Sequence, residues 1–311
     1  MKNRTAPRGA VLLFAAFLSL AGPAMAEKLA LTFDDLPLNG AQPAGMTKTA
    51  ITQETIAVLK RFKVPPSYGF VNARKLEGNP DGASALRAWV DAGHPVGNHA
   101  YSHMDLHQNT VEAFTRDILQ NEPALMLLST RDADAWRWFR YPFLREGETL
   151  EKRRAVRAFL EKSRYRIAQT TLDHEDYLWN TAYARCLDRK DTAAIAWLRE
   201  SYLEMAAAYI KGGRETAKLA FGREISHVFL LHLGAFSPVI LPELLGLIEK
   251  EGFQLTTLED AQSDPVYAID PDVAPKWGGT HTELVMQSRG LKYDGYPKKP
   301  REKLGTICTA P

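Results

Sequence analysis

Apolar residues in this chain come in short, nearly unbroken runs. Between the runs lie longer segments in which they return every three to four positions. The runs Leu29–Phe33, Pro66–Val71, His94–Asn98, Trp136–Tyr141, Arg166–Thr171, His227–Leu233 and Phe253–Thr257 read as strands. Thr49–Phe62, Ala83–Ala92, Thr110–Leu128, Glu148–Lys162 and Pro242–Glu251 read as helices with one apolar face. Strands that are apolar almost throughout, alternating with helices, predict a parallel sheet covered by helices. About seven such units over this length predict an α/β fold, a distorted (β/α) barrel of about seven strands rather than an open sheet.

Three segments stand outside this alternation. Asp188 to Phe221 is helix-rich, is interrupted at Gly212-Gly213, and reads as a helical insertion between two core strands. Residues 261–311 are rich in Pro and Gly, then polar, and read as a C-terminal extension packed on a catalytic domain spanning 27–260. At the other end, Lys2, Arg4 and Arg8 precede an apolar stretch from Val11 to Leu20 and the small-residue site Ala24-Met25-Ala26. That is the layout of a secretory signal peptide over residues 1–26. The apolar stretch is short for a membrane span, so no stable anchor is expected after cleavage.

Composition adds two constraints. Removing residues 1–26 takes away three basic residues and no acids, which moves the formal charge from +2 to −1. A near-neutral chain has no basic excess to offer a nucleic acid. Export, to the periplasm or beyond the cell, would let Cys186 and Cys308 form a disulfide. Two isolated buried thiols are the competing reading.

In a parallel α/β barrel, chemistry sits where the strands end. The first strand ends on Asp34-Asp35, and the third on His99, with His103 four residues later. Histidines at this spacing can present both imidazoles on one side of a helical turn. Two histidines with one aspartate and an open position are the donor set of a catalytic metal. Further strand ends carry Arg140-Tyr141-Pro142-Phe143, then Asp173 with Asp176, then His232. Arg140 is suited to clamping a carboxylate, with a surface salt bridge as its ordinary alternative. A histidine at the position of His232 is more often packed in a core than catalytic, though its place at a strand end counts the other way. His94, His107, His174, His227 and His281 have mostly structural readings. Tyr101, Tyr141, Tyr177 and Trp179 are candidates for stacking on a sugar ring, against core packing for any single one of them.

Five segments, in order, resemble the motifs of the polysaccharide deacetylase family, the NodB-homology or carbohydrate esterase family 4 domain. They are Thr32-Phe33-Asp34-Asp35, His99 with His103, Arg140-Tyr141-Pro142-Phe143, Asp173 to Tyr177, and Leu230-Leu231-His232. The resemblance covers roughly residues 27–260. It implies a distorted β/α barrel that removes N- or O-acetyl groups from carbohydrates with a divalent metal, most often Zn2+. Carried over, it implies that Asp35, His99 and His103 hold the metal and that Asp34 is the general base. It further implies that Arg140 orients Asp34 and that the Phe143 N–H supports the oxyanion. His232 would protonate the leaving amine, with Asp173 holding its imidazole. The physical logic agrees, because a cation beside Asp35 lets its neighbour stay ionised.

Four positions depart from the family pattern. Leu36 stands where glycine is usual, Ala100 where Thr or Ser is usual, Phe143 where Tyr is common, and Tyr177 where Trp is usual. None is a metal ligand. The expected activity is therefore N-deacetylation of an N-acetylglucosamine-containing glycan, such as peptidoglycan or a chitin-like oligosaccharide. An O-acetyl esterase with the same site and a non-catalytic glycan-binding relative are the alternatives, and export disfavours a non-sugar amidohydrolase. The insertion and the C-terminal extension are where substrate range is expected to be set.

Overall fold

The computed structural model describes residues 27–129 and 134–309. The signal-peptide assignment, residues 1–26, lies outside them. Seven parallel strands form one curled sheet: β1 (Lys28–Asn39), β2 (Tyr68–Val71), β3 (Val96–Asn98), β4 (Trp138–Phe139), β5 (Arg166–Ile167), β6 (His227–Gly234) and β7 (Gln254–Thr256). The order is β5-β4-β3-β2-β1-β6, with β7 paired to β1. All seven runs predicted from the apolar pattern contain a strand, most of them shorter than the run.

β1 is the centre of the sheet. It pairs with β6 from Leu29 to Asp34, with β7 at Lys28–Ala30, and with β2 from Thr32 to Leu36. The sheet curls far enough to meet itself, because Leu172, just beyond β5, bridges to Phe229 of β6. The Leu230 N–H donates to the Leu172 carbonyl, and the Thr171 N–H to that of Val228. This is the distorted (β/α) barrel. Leu29, Leu31 and Phe33 on one side of β1 and Ala30 and Thr32 on the other are all buried, as expected of a strand covered on both faces.

Helices α1 (Lys48–Arg61), α2 (Pro80–Asp91), α3 (Val111–Leu128), α4 (Leu150–Lys162), α5 (Tyr177–Asp188), α6 (Thr192–Phe221) and α7 (Ser237–Lys250) surround the sheet. Three short helices follow, α8 (Leu258–Ala261), α9 (His281–Ser288) and α10 (Arg301–Thr306). Side-chain oxygens of Thr47, Asn79, Thr110, Thr149 and Asp191 cap the N-termini of α1, α2, α3, α4 and α6.

The helical segment between β5 and β6 differs from the sequence expectation. It begins at Tyr177, and α6 runs through Gly212-Gly213 without a break. The two glycines mark close packing rather than a turn. A Cβ on Gly212 would lie 2.4 Å from the Tyr296 ring, and one on Gly213 would lie 2.1 Å from Leu172. Tyr296 belongs to the C-terminal extension, which returns across α6 and is joined to α5 by a Cys186–Cys308 disulfide.

Candidate active site

A strand normally sends consecutive side chains to opposite faces, so neighbouring aspartates could not share a pocket without a local change. That change is at Asp35, whose φ of 70° is left-handed. Strand register slips there on both sides, between Phe33 and Leu36 against β2 and between Asp34 and Asn39 against β6. Asp34 and Asp35 consequently both line one cleft of about 590 Å³. Leu36 turns away from it and is fully buried, packed on Gly69 and Trp89. It is a core residue, not a replacement wall beside Asp35. β1 instead continues to Asn39, whose amide donates to Asp35 Oδ2 at 2.8 Å.

His99 and His103 reach the cleft by a route other than the expected helical turn. The segment after β3 is irregular, with left-handed Ala100 (φ 59°) and His103 (φ 59°), and it brings the ring centroids to 4.8 Å. The side chain of Asn98 accepts from the Ala100 N–H at 2.9 Å and so provides a loop bond beside the substituted position. His99 Nδ1 lies 2.8 Å from the Arg140 carbonyl, so it is the protonated nitrogen and leaves Nε2 with a free lone pair. Burial holds both imidazoles neutral, pushing His99 down to about 3 and His103 to about 4.

Asp35 Oδ1 lies 3.9 Å from His99 Nε2, 3.5 Å from His103 Nε2 and 3.3 Å from Lys75 Nζ. Burial would raise its pKa, but the Lys75 ammonium, together with the His232 imidazolium, holds it well below the carboxylate range. That oxygen is buried yet has no hydrogen-bond partner. One carboxylate oxygen and two imidazole nitrogens, mutually within 4.8 Å, fit a divalent cation of the zinc class.

Asp34 is held from the other side. Arg140 Nη1 lies 3.3 Å from each of its oxygens, while Nε donates to the Ala168 carbonyl and Nη2 to the Thr32 hydroxyl. The guanidinium is buried and stacks over Phe70 at 4.8 Å. Desolvation raises the pKa of Asp34, and the Arg140 charge opposes that rise. A buried carboxylate whose proton affinity is raised is suited to accepting a proton.

His232 stands opposite Asp34 in the β1–β6 register. Its Nδ1 is 2.6 Å from Asp176 Oδ1, and its backbone N–H donates to Asp176 Oδ2 at 2.8 Å. The imidazole therefore rests on Asp176, not on Asp173. Asp173 Oδ1 instead accepts from the Glu175 N–H in a tight turn, and burial raises its pKa to about 6. Left-handed Glu175 (φ 62°) then swings the chain into α5 and carries Asp176 under β6. Burial disfavours the His232 cation, but Asp176 outweighs it and holds the group at about 9. Two aspartates three residues apart look alike in sequence. Only this turn separates them.

The remaining candidates divide. Phe143, left-handed with φ 58°, packs edge-on against His103 at 4.4 Å and lines the cleft. Tyr177 also lines it, 5.4 Å from the His232 ring. Tyr141 borders the cleft, but its ring is buried against Phe114 and Phe139. Trp179 is a core residue, fully buried, its indole N–H donating to Ser201 Oγ at 3.0 Å. Tyr101 binds Glu77 away from the cleft. His94, His174, His227 and His281 are buried, as their structural readings anticipate.

Several cleft residues carried no sequence signal. Lys75 reaches Asp35 from a turn after β2. The C-terminal extension adds Trp277, Gly278, Lys299 and Arg301. Lys299 and Arg301 both grip Glu175, Lys299 at 3.0 Å. A wider groove of about 860 Å³ between α1, α2 and α3 is lined largely by aliphatic side chains and lies away from this cluster.

Residues 21–159 match the sequence model of the family described as polysaccharide deacetylase. That segment is similar to the polysaccharide deacetylase family. It includes Asp34, Asp35, His99, His103, Arg140 and Phe143, and ends before Asp176 and His232. No curated protein matches the chain. Among solved structures, a chitin deacetylase from Colletotrichum lindemuthianum is 20% identical, with a TM-score of 0.51, covering 76% of this chain and 87% of its own. That likeness shows the shared fold. The peptidoglycan deacetylase PdaC from Bacillus subtilis (20% identity, 76% and 92% coverage, TM-score 0.47) and a family 4 carbohydrate esterase from Streptomyces lividans (22%, 74% and 92%, 0.45) are more distant in shape.

Proposed function

We propose that the protein is an exported, metal-dependent deacetylase that hydrolyses the N-acetyl groups of an N-acetylglucosamine-containing glycan, of the peptidoglycan or chitin type. One observation carries this reading. A metal-type donor set, Asp35 with His99 and His103, faces the same cleft as a guanidinium-held carboxylate, Asp34, and a carboxylate-held imidazole, His232. The disulfide and the basic-then-apolar N-terminus support export.

Asp35, His99 and His103 would hold the ion, in our reading Zn2+, and Asp35 Oδ1, which accepts no hydrogen bond, is an atom it would satisfy. When bound, such an ion polarises the acyl carbonyl and acidifies water. Asp34 then accepts a proton from the attacking water, with Arg140 aiming its carboxylate and opposing the burial that favours its protonated form. The Phe143 N–H donates to the oxygen on which negative charge develops. As the C–N bond breaks, His232 gives its proton to the nitrogen, and Asp176 balances the imidazolium beforehand. Acetate and a free amine leave. A histidine protonated at neutral pH favours the amide over the O-acetyl ester, because a nitrogen leaving group cannot depart without a proton.

Acetate release from N-acetylglucosamine oligomers, peptidoglycan and an O-acetylated glycan, with and without chelator, tests the reading. Chelator-sensitive release from the N-acetylated substrates is expected, with a loss of about 10²-fold or more in Asp34→Asn. The absence of chelator-sensitive release from any N-acetylated substrate would overturn it.

A further inference from the structure

The proton transfers described above leave one side of the cleft unused. Trp277 is 65% exposed and Phe143 is 52% exposed, and both line the cleft. The Lys276 ammonium lies 5.3 Å from the Trp277 ring centroid, and what sets these two aromatics apart from other exposed apolar side chains is their shared place on the rim of the cleft that holds the donor set. The backbone that carries Trp277 is docked on the turn that carries Phe143. A Cβ on Gly278 would lie 1.9 Å from the Phe143 carbonyl oxygen, so only glycine lets the extension approach this closely. The Gly279 N–H donates to the Leu144 carbonyl at 3.3 Å. On the other partner, the Phe143 ring rests on His103, with the Arg145 guanidinium 5.4 Å from its centroid. The C-terminal extension is thus docked on the Pro142–Leu144 turn, and two exposed aromatic rings share one rim.

We propose that Trp277, with Phe143 beside it, is the platform on which a neighbouring pyranose ring of the glycan stacks. The reading rests on the glycan deacetylase function proposed above. A pyranose presents an apolar face of C–H groups, the chemical complement of an indole face, while its hydroxyls stay in water. The platform lies on the rim, so it holds a sugar next to the one being deacetylated. The preferred substrate therefore has at least two sugar units. Trp277 also lies outside residues 21–159, so this preference is written in the extension rather than in the matched segment.

The test compares wild type, Trp277→Ala and Trp277→Phe on N-acetylglucosamine and its tetramer, by acetate release and by calorimetric binding of the tetramer. Trp277→Ala is expected to raise KM and Kd for the tetramer about three- to tenfold. Its kcat should stay within about twofold, the monomer should be handled as by wild type, and Trp277→Phe should recover much of the loss. Unchanged tetramer KM and Kd in folded Trp277→Ala would overturn the platform while leaving the deacetylase reading intact. Tetramer binding without acetate release by wild type would count against deacetylation alone, and the binding comparison would still decide the platform. If wild type neither binds nor cleaves the tetramer, both readings fail.

Discussion

Asp176 is the residue on which the mechanism is most exposed to test. It accepts from both the ring and the backbone of His232, whereas Asp173 is occupied by its own turn. Asp176→Asn should lower kcat by about 10²–10⁴-fold, in the range of an imidazole that loses its carboxylate partner. Asp173→Asn should cost less. The pH profile gives an independent readout. His232 acts as an acid while protonated, so activity should fall as pH rises through about 9. Without Asp176 that limb should move down toward the ordinary histidine value of about 6.5. A limb that stays in place in Asp176→Asn would remove His232 from the acid role. The residues given chemical roles could mostly be seen beforehand, because Asp34, Asp35, His99, Arg140 and His232 each close or adjoin an apolar run. The partner of His232 could not, since a left-handed Glu175 leaves no mark on residue type.

Elements were easiest to read where apolar periodicity was strong, and hardest where a residue type has two uses. Gly212-Gly213 suggests a helix break by composition, because glycine is poor in helix interiors. In the fold the pair is a contact surface, against Tyr296 and Leu172, which come from distant parts of the chain. The difference has a measurable sign. On an exposed helix, Gly→Ala stabilises by about 1 kcal/mol. Here Gly212→Ala places a methyl 2.4 Å from the Tyr296 ring, which itself stacks on Tyr209 at 4.4 Å, so urea denaturation should show destabilisation. A stabilised Gly212→Ala would mean that the extension does not pack on α6. The same extension is tied to α5 by Cys186–Cys308 across 122 residues of sequence. Opening that bond by replacing both cysteines with serine should cost about 2–5 kcal/mol, read as a lower urea midpoint. It should also reduce kcat, because Lys299 and Arg301 then hold Glu175, the neighbour of Asp176, less firmly.

At the scale of the whole molecule, the barrel spends its interior on neutral histidines as well as on hydrocarbon, and this sets its tolerance of acid. Burial pushes His94, His174 and His227 each down to about 4. In the unfolded chain the same groups titrate near 6.5, so between about 6.5 and 4 the unfolded state binds more protons than the folded one. Stability is therefore fully present above about 6.5 and is lost as pH falls toward 4. His174 is the strongest case. It is completely buried among Tyr202, Trp179 and Phe229, and neither ring nitrogen has a hydrogen-bond partner. Removing an unsatisfied buried polar group while keeping an aromatic of similar shape is near-neutral or stabilising. His174→Phe should therefore leave the urea midpoint at pH 7.5 unchanged or higher, and should flatten its decline between pH 7 and pH 5. If the decline is as steep as in wild type, the acid sensitivity belongs to the other buried histidines. If the variant is strongly destabilised at pH 7.5, then His174 makes a polar contact that its aromatic surroundings conceal.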